Sequence, residues 1–197
     1  LPTIPSLQPG VGAGLARLRE TVAAIDGVRD QAAVVEAASV RTTRIALALG
    51  QWLCAAPPAP SDGDAAAIGE LWPLLLARQK KQIGKRLRQT RPDDPATFHA
   101  LRIAVRKTRY AIEFFAPLQA GKVVARRLAA LVKLQDVLGR INDQAIGAEL
   151  VRQAAVTRPD DPQLAAESAF AAGFLTAGAR AGAGQVAKLA RRALRAL

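Results

Sequence analysis

Apolar side chains recur at intervals of three and four residues along most of the chain, and strict alternation is rare. Such spacing is typical of amphipathic α-helices, in which positions i, i+3 and i+4 share one face. Ser39 is a suitable N-cap for a second helix that ends near Cys54. Before it, a first helix is predicted from Gly12 to about Ala38, loosened at Gly27, with apolar positions at Leu15, Leu18, Val22, Ile25 and Val28.

Turn-forming segments separate the later helices. The stretch 55–64 is rich in proline and is the clearest linker in the chain. A third helix is predicted from about Ala65 to Gln89, and Pro73 is expected to kink it or to mark its start. A fourth helix follows an Asp94 cap, begins near Pro95 and ends before Pro117.

A fifth helix is predicted from near Gly121 to near Val156, with a restart at Asn142 or Asp143. The last stretch, 163–197, has the pattern of two helices separated around Gly182 to Gly184. Seven or eight helices with short connections and no convincing strand indicate an all-α helical bundle.

The charge balance is the first indication of function. The chain holds 28 Lys and Arg against 16 Asp and Glu, which gives a formal net charge of +12. An excess of this size indicates a polyanionic partner: nucleic acid, an anionic membrane surface or a phosphate polymer. A generally arginine-rich surface without a specific partner is the alternative.

Cys54 is the only cysteine, so the chain forms no intrachain disulfide and no zinc cluster. Its apolar neighbours predict a buried thiol, and the composition suits a reducing compartment. No apolar stretch is long enough to span a bilayer, and the N-terminus lacks a charged signal-peptide region. We therefore expect a protein of the bacterial cytoplasm with no cofactor and no metal. Because the chain contains no methionine, we expect it to be processed or part of a longer polypeptide.

Basic residues form stripes at helical spacing. On the fourth helix the spacing of 3, 4 and 3 places four side chains within about 80° of one face. The same spacing recurs on the third helix, which should be its antiparallel neighbour, so two cationic stripes are expected to face one groove. The fourth-helix stripe is His99, Arg102, Arg106 and Arg109, and the third-helix stripe is Arg78, Lys81, Lys85 and Arg88.

The core face of the fourth helix is predicted beside its stripe. The residues expected to be buried there are Phe98, Leu101, Ala104, Val105, Thr108, Ile112 and Phe115. A basic stripe that borders apolar residues resembles the wall of a groove more than a solvated face. A solvated face remains the alternative for any one helix taken alone.

Two further basic sets lie nearer the C-terminus. Asp136 and Asp143 lie close to the first of them and are expected to orient its arginines through charge-assisted hydrogen bonds. The fifth helix carries Lys122, Arg126, Lys133 and Arg140 on one side. The last stretch carries Lys188, Arg191 and Arg195.

Three segments resemble a known family. Residues 99–115, HALRIAVRKTRYAIEFF, closely resemble the signature helix of CHAD domains, the conserved histidine α-helical domains. Residues 134–143, LQDVLGRIND, resemble the second signature of that family, LQD-x-LG-x-xND. Residues 42–53, which end in Trp52 and Leu53, resemble the segment before its central linker.

The resemblance implies a fold of two related four-helix halves around a basic groove, which binds inorganic polyphosphate without catalysis. It also implies association with polyphosphate or polyhydroxyalkanoate granules, or attachment to a triphosphate hydrolase domain. The positions carried over are His99, Arg102, Arg106, Lys107, Arg109 and Tyr110, with Lys81 and Lys85 on the preceding helix.

The chain departs from the family pattern in two ways. Thr108 stands where a leucine is usual, and no second H-x-x-R signature is present. We therefore expect the first half to be incomplete, with its signature helix upstream of the given sequence. The predicted organisation is residues 1–54 as the remainder of the first half, 55–64 as linker and 65–197 as the second half.

Three other functions remain open at this point. Nucleic-acid binding needs the same charge together with base contacts or aromatic stacking, and aromatics near the stripes are few. Phosphoryl-transfer catalysis needs acidic residues that hold Mg²⁺; Glu113, Asp136 and Asp143 are candidates, but no phosphate-binding loop accompanies them. A basic helix can also target membranes or granules. We expect a binding protein and not an enzyme.

Overall fold

The computed structural model describes residues 14–55 and 64–197. Within these ranges the chain forms six α-helices and no β-strand, so the predicted all-α class is confirmed. A single 3₁₀ turn, Ala116–Leu118, joins the fourth and fifth helices. The helices are α1 (Ala16–Ala37), α2 (Val40–Cys54), α3 (Asp64–Gln89), α4 (Pro95–Phe114), α5 (Gly121–Thr157) and α6 (Pro162–Ala196).

Side-chain caps fix the starts of several helices. The Ser39 hydroxyl accepts a hydrogen bond from the Thr42 backbone N–H at 3.2 Å, as predicted for α2. Asp94 Oδ1 accepts from the Ala96 N–H at 3.1 Å, and Pro95 occupies the first turn of α4, also as predicted. These caps satisfy N–H groups that have no partner inside the helix.

The predicted interruptions within helices are wrong. Helix α1 continues through Gly27, α5 through Asn142 and Asp143, and α6 through Gly182 to Gly184. Helix α3 begins at Asp64, so Pro73 lies within it and does not mark its start. A glycine costs a helix only about 1 kcal/mol, which is too little by itself to end a long helix.

Two other expectations concern the region around the linker. The thiol of Cys54, predicted to be buried, is exposed. Helix α2 as a whole buries no side chain, and Trp52 is 72% exposed. Residues 56–63 of the predicted linker lie outside the described residues.

The described residues form two compact units. One comprises 14–55 together with 150–170, and the other comprises 64–149 together with 171–197. In the second unit, α5 contributes fully buried leucines to a core that also receives α3, α4 and α6. The fully buried side chains of this core include Ile83, Leu101, Val105, Ile112, Leu131, Leu134 and Leu138.

The predicted core face of α4 is confirmed. Its buried side chains are Phe98, Leu101, Ala104, Val105, Thr108 and Ile112. Phe115, predicted to join them, is partly buried, and its ring centroid lies 4.9 Å from that of the buried Trp72. The period of 3.6 residues thus identified the inner face of this helix correctly.

In the first unit, α6 caps the N-terminus of α1. The Leu18 N–H donates to Glu167 Oε2 at 2.9 Å, and Glu167 is buried. Asp161 contacts both helices. Its Oδ1 accepts a hydrogen bond from the Leu164 N–H of α6 at 3.0 Å, and its Oδ2 pairs with the Arg17 guanidinium of α1. Carboxylates at helix N-termini also interact favourably with the helix dipole.

Close packing between α5 and α6 requires a glycine at position 182. A Cβ atom built there would lie 3.0 Å from Cγ1 of Ile141, which is itself only 3% exposed. At Gly184, two residues further on, nothing lies within 4 Å of such an atom. The first position is therefore restricted by its neighbour and the second is open.

We predict that Gly182→Leu lowers the free energy of unfolding by about 1–3 kcal/mol, because Ile141 cannot yield without disturbing the core. Chemical denaturation monitored by circular dichroism measures this change. Gly184→Leu is the matched control, and we expect it to be neutral or stabilising by up to about 1 kcal/mol. Equal stability of the two variants would contradict the packing argument.

We predict a pH dependence from Asp161. The backbone hydrogen bond from Leu164, followed by the contact with Arg17, lowers the pKa of this carboxyl. In the unfolded chain the pKa of an aspartate is about 3.9, and in the folded protein the pKa of Asp161 is lower. The ionised carboxylate therefore stabilises the fold at pH values above about 3.9, and this stabilisation is lost as the pH falls through the folded-state pKa. Asp161→Asn should therefore destabilise the protein at pH 7 and do so less below pH 3. The control Asp160→Asn should leave the free energy of unfolding unchanged at both pH values. If Asp161→Asn destabilises the protein equally at both pH values, the assignment is contradicted.

Candidate anion-binding site

The α4 stripe, defined as His99, Arg102, Arg106 and Arg109, lies beside the buried face of its helix. Arg102 and Arg109 are half-buried, whereas His99 and Arg106 are exposed. The Asp94 cap and Pro95 fix the start of α4, and its apolar face fixes the rotation of the helix. The stripe is therefore held at the edge of the core.

A hydrogen bond orients the imidazole of His99. Its Nδ1 lies 2.9 Å from Oδ1 of Asn142 on α5. The Asn142 amide nitrogen lies 3.5 Å from Asp143 Oδ1, which is consistent with Oδ1 as the acceptor and the His99 Nδ1–H as the donor.

Tyr110 organises two of the arginines. The Arg106 Nε–H donates to the Tyr110 hydroxyl at 3.0 Å. The guanidinium carbons of Arg106 and Arg109 lie 5.3 and 5.1 Å from the centroid of the tyrosine ring. These are cation–π distances, so one aromatic ring restrains both cations.

Two arginines of this stripe carry a buried nitrogen without a hydrogen bond. Arg102 Nε and Arg109 Nε find no hydrogen-bond partner among the described residues. Arg109 Nε does lie 3.3 Å from Glu113 Oε1, an ion pair whose geometry does not align the N–H with the carboxylate. A buried donor without an acceptor costs about 1–3 kcal/mol, so these arginines are suited to an external anion.

The stripe on α3 lies elsewhere. The Thr108 hydroxyl of α4 lies 3.4 Å from Gln79 Oε1, which identifies the side of α3 that faces α4. Arg88 follows Gln79 by about two and a half turns and so lies on the opposite side. Arg78, Lys81 and Lys85 are also turned away from Gln79, and all four cations are exposed. The structure does not bring the α3 and α4 stripes together, and the expected groove between them is not formed.

The cations of α5 also lie apart from the α4 stripe. Lys133 precedes Asn142 by about two and a half turns, so the two residues flank opposite edges of the buried face of α5. Arg126 and Lys133 instead line a cleft with α6. Arg140 shares their side of the helix and is exposed, and Lys107 is exposed on α4 outside the stripe.

The sequence reasoning missed two contributors. Asn142 was interpreted as a helix cap, although it stands in the second family-like segment, and its role is to orient His99. The predicted basic set of the last stretch contains Arg191, whereas its neighbour Arg192 is the residue that lines the α5–α6 cleft. The spacing of 4 and 3 from Lys188 through Arg192 to Arg195 was the available signal.

Two kinds of feature are absent from the described ranges. Residues 14–55 and 64–197 include no helix with the length and apolar composition of a membrane span. The same residues hold no group of three or more His, Cys, Asp and Glu side chains placed to share a metal ion.

The helical fold and the histidine–arginine helix define a class of all-α proteins, and comparison identifies the family. The family model of the CHAD domain matches residues 4–152, so this chain belongs to the CHAD-domain family. No curated protein matches the chain.

A solved structure supports the same assignment. The chain is similar to the crystal structure of the CHAD domain from the plant Ricinus communis, with a TM-score of 0.75 and 32% sequence identity. The similarity covers 100% of this chain and 64% of the plant chain, so this chain spans less than two thirds of that protein's length.

Proposed function

We propose that this protein binds inorganic polyphosphate through the α4 stripe and does not catalyse its conversion. The observation that carries the proposal is the cationic excess of the α4 stripe, in which three arginines share one carboxylate, Glu113, and the buried Arg102 Nε finds no hydrogen-bond partner among the described residues. Membership of the CHAD-domain family supports the same ligand class.

The chemistry of the stripe suits a phosphate chain. Arginine donates two parallel hydrogen bonds to phosphate oxygens, and a polymer of phosphates presents such oxygens at regular intervals. Successive positions of the stripe are about one helical turn apart, so neighbouring side chains can contact different phosphates of one extended chain. Release of counterions from the polymer supplies much of the affinity, and binding therefore weakens with salt.

The proposed role of these groups is recognition. Hydrogen-bond donors and fixed positive charges stabilise the bound anion without activating a nucleophile, and the one carboxylate on this face is paired with Arg109. We place the complex in the cytoplasm, where association with polyphosphate granules follows from the same contacts.

We predict that Arg102→Ala/Arg106→Ala weakens binding of long-chain polyphosphate by at least about tenfold, because charge-assisted hydrogen bonds contribute about 1.5–3 kcal/mol each. Titration calorimetry at two salt concentrations measures this loss. The variant should also show a shallower dependence of affinity on salt, since fewer counterions are released.

The matched control is Arg41→Ala/Arg158→Ala, which removes two exposed arginines outside all the stripes. We expect its affinity to stay within about twofold of the parent. An equal loss in both variants would show that net charge alone governs binding and would contradict the proposed site. Displacement of polyphosphate by an equal concentration of oligonucleotide would favour nucleic acid as the ligand.

We predict that Tyr110→Ala weakens polyphosphate binding by about five- to thirtyfold, because two cation–π contacts of about 0.5–1 kcal/mol each no longer hold Arg106 and Arg109 in place. Tyr110→Phe keeps the ring and loses only the hydroxyl, so it should retain most of the affinity. Calorimetry on both variants separates these effects. Equal losses would assign the role to the hydroxyl and contradict restraint by the ring.

A further inference from the structure

We propose that the cleft between α5 and α6 is a second anion site, separate from the α4 stripe, which takes a compact ligand of several linked phosphoryl groups such as tripolyphosphate. The cleft lies within one compact unit of the structure. This inference does not require the α4 stripe to bind polyphosphate.

Five of the eight residues that line the cleft are cationic. Arg126 and Lys133 come from α5, and Lys188, Arg192 and Arg195 come from α6. The remaining lining residues are alanines, so no carboxylate among them neutralises the five cations. Like charges around one cleft repel each other, and a multivalent anion converts that repulsion into attraction.

Size and charge define the ligand class. The cleft has a volume of about 660 Å³, which is within the range of small-molecule sites. Its five cations are matched by a ligand that carries about four or five negative charges, as a short phosphate oligomer does. The small side chains of the three alanines leave open space between the long basic side chains.

Arg127 fixes the α6 side of the cleft. Its Nη1 donates to Gln119 Oε1 at 2.6 Å, and its Nε and Nη2 each lie 3.4 Å from the backbone carbonyls of Ala196 and Leu197, respectively. These contacts hold the last turn of α6, which carries Arg195, against α5. Burial, followed by the neighbouring charge of Arg126, lowers the pKa of Arg127, in keeping with a crowded cationic environment.

The buried face of α5 separates this cleft from the α4 stripe. It lies between Asn142, which contacts His99, and Lys133, which lines the cleft. The two basic surfaces are therefore at opposite edges of that face.

The test is calorimetric titration of the full chain with tripolyphosphate. We expect Lys133→Ala/Arg192→Ala to weaken binding at least tenfold, because both exposed cations contact the ligand and neither supports the core. The control Arg41→Ala/Arg158→Ala should stay within twofold of the parent. Unchanged binding in the Lys133/Arg192 variant would overturn the proposal, and so would an equal loss in the Arg41/Arg158 variant.

A second measurement uses the unaltered protein. Amide resonances of Ala129, Ala130 and Ala196, which line the cleft, should shift on addition of tripolyphosphate, as followed by ¹H–¹⁵N NMR. Shifts confined to α4 would overturn the proposal. If Arg102 and Arg106 prove unnecessary for binding long-chain polyphosphate, the proposed function is wrong. The proposal for the cleft is decided separately, by the titration with tripolyphosphate.

Discussion

The buried face of α5 is the constraint on which both basic surfaces depend. Leu131, Leu134 and Leu138 are fully buried there, and each contributes about 1.5–3 kcal/mol by leaving water. Since Lys and Arg cannot enter such a face without partners, the cations of the neighbouring positions must emerge at its two edges. The packing of apolar side chains thus determines where positive charge lies on the surface. At one edge of this face α4 contributes its basic stripe, and at the other edge α6 forms the basic cleft with α5.

The helices of this protein were predictable because their information is local. The capping residues Ser39 and Asp94 and the apolar period of α4 each act within a few residues, and the structure confirms all three. The interruptions predicted at Gly27 and around Gly182 are wrong for the opposite reason. A glycine weakens a helix by a small local amount, whereas close packing against Ile141 favours Gly182 for its lack of a side chain.

The candidate site was predictable only one helix at a time. Residue spacing shows which cations share a face of α3 or α4, but the rotation of one helix against the next depends on how side chains pack. The contact between Thr108 and Gln79 turns the α3 stripe away from α4, and no period in the sequence indicates that contact. For the same reason the spacing alone did not distinguish Arg191 from Arg192 as the residue facing α5.

Tyr110 is the single tyrosine of the chain, and it lies directly against two arginines of the α4 stripe. The two tryptophans are placed elsewhere, with Trp72 in the core and Trp52 exposed on α2. The ultraviolet absorption of a phenol ring is sensitive to nearby charge. An anion bound by Arg106 or Arg109 alters the charge beside the ring and therefore changes a signal that comes from one known position. The protein carries its own optical reporter of this helix face, and no label is needed to read it.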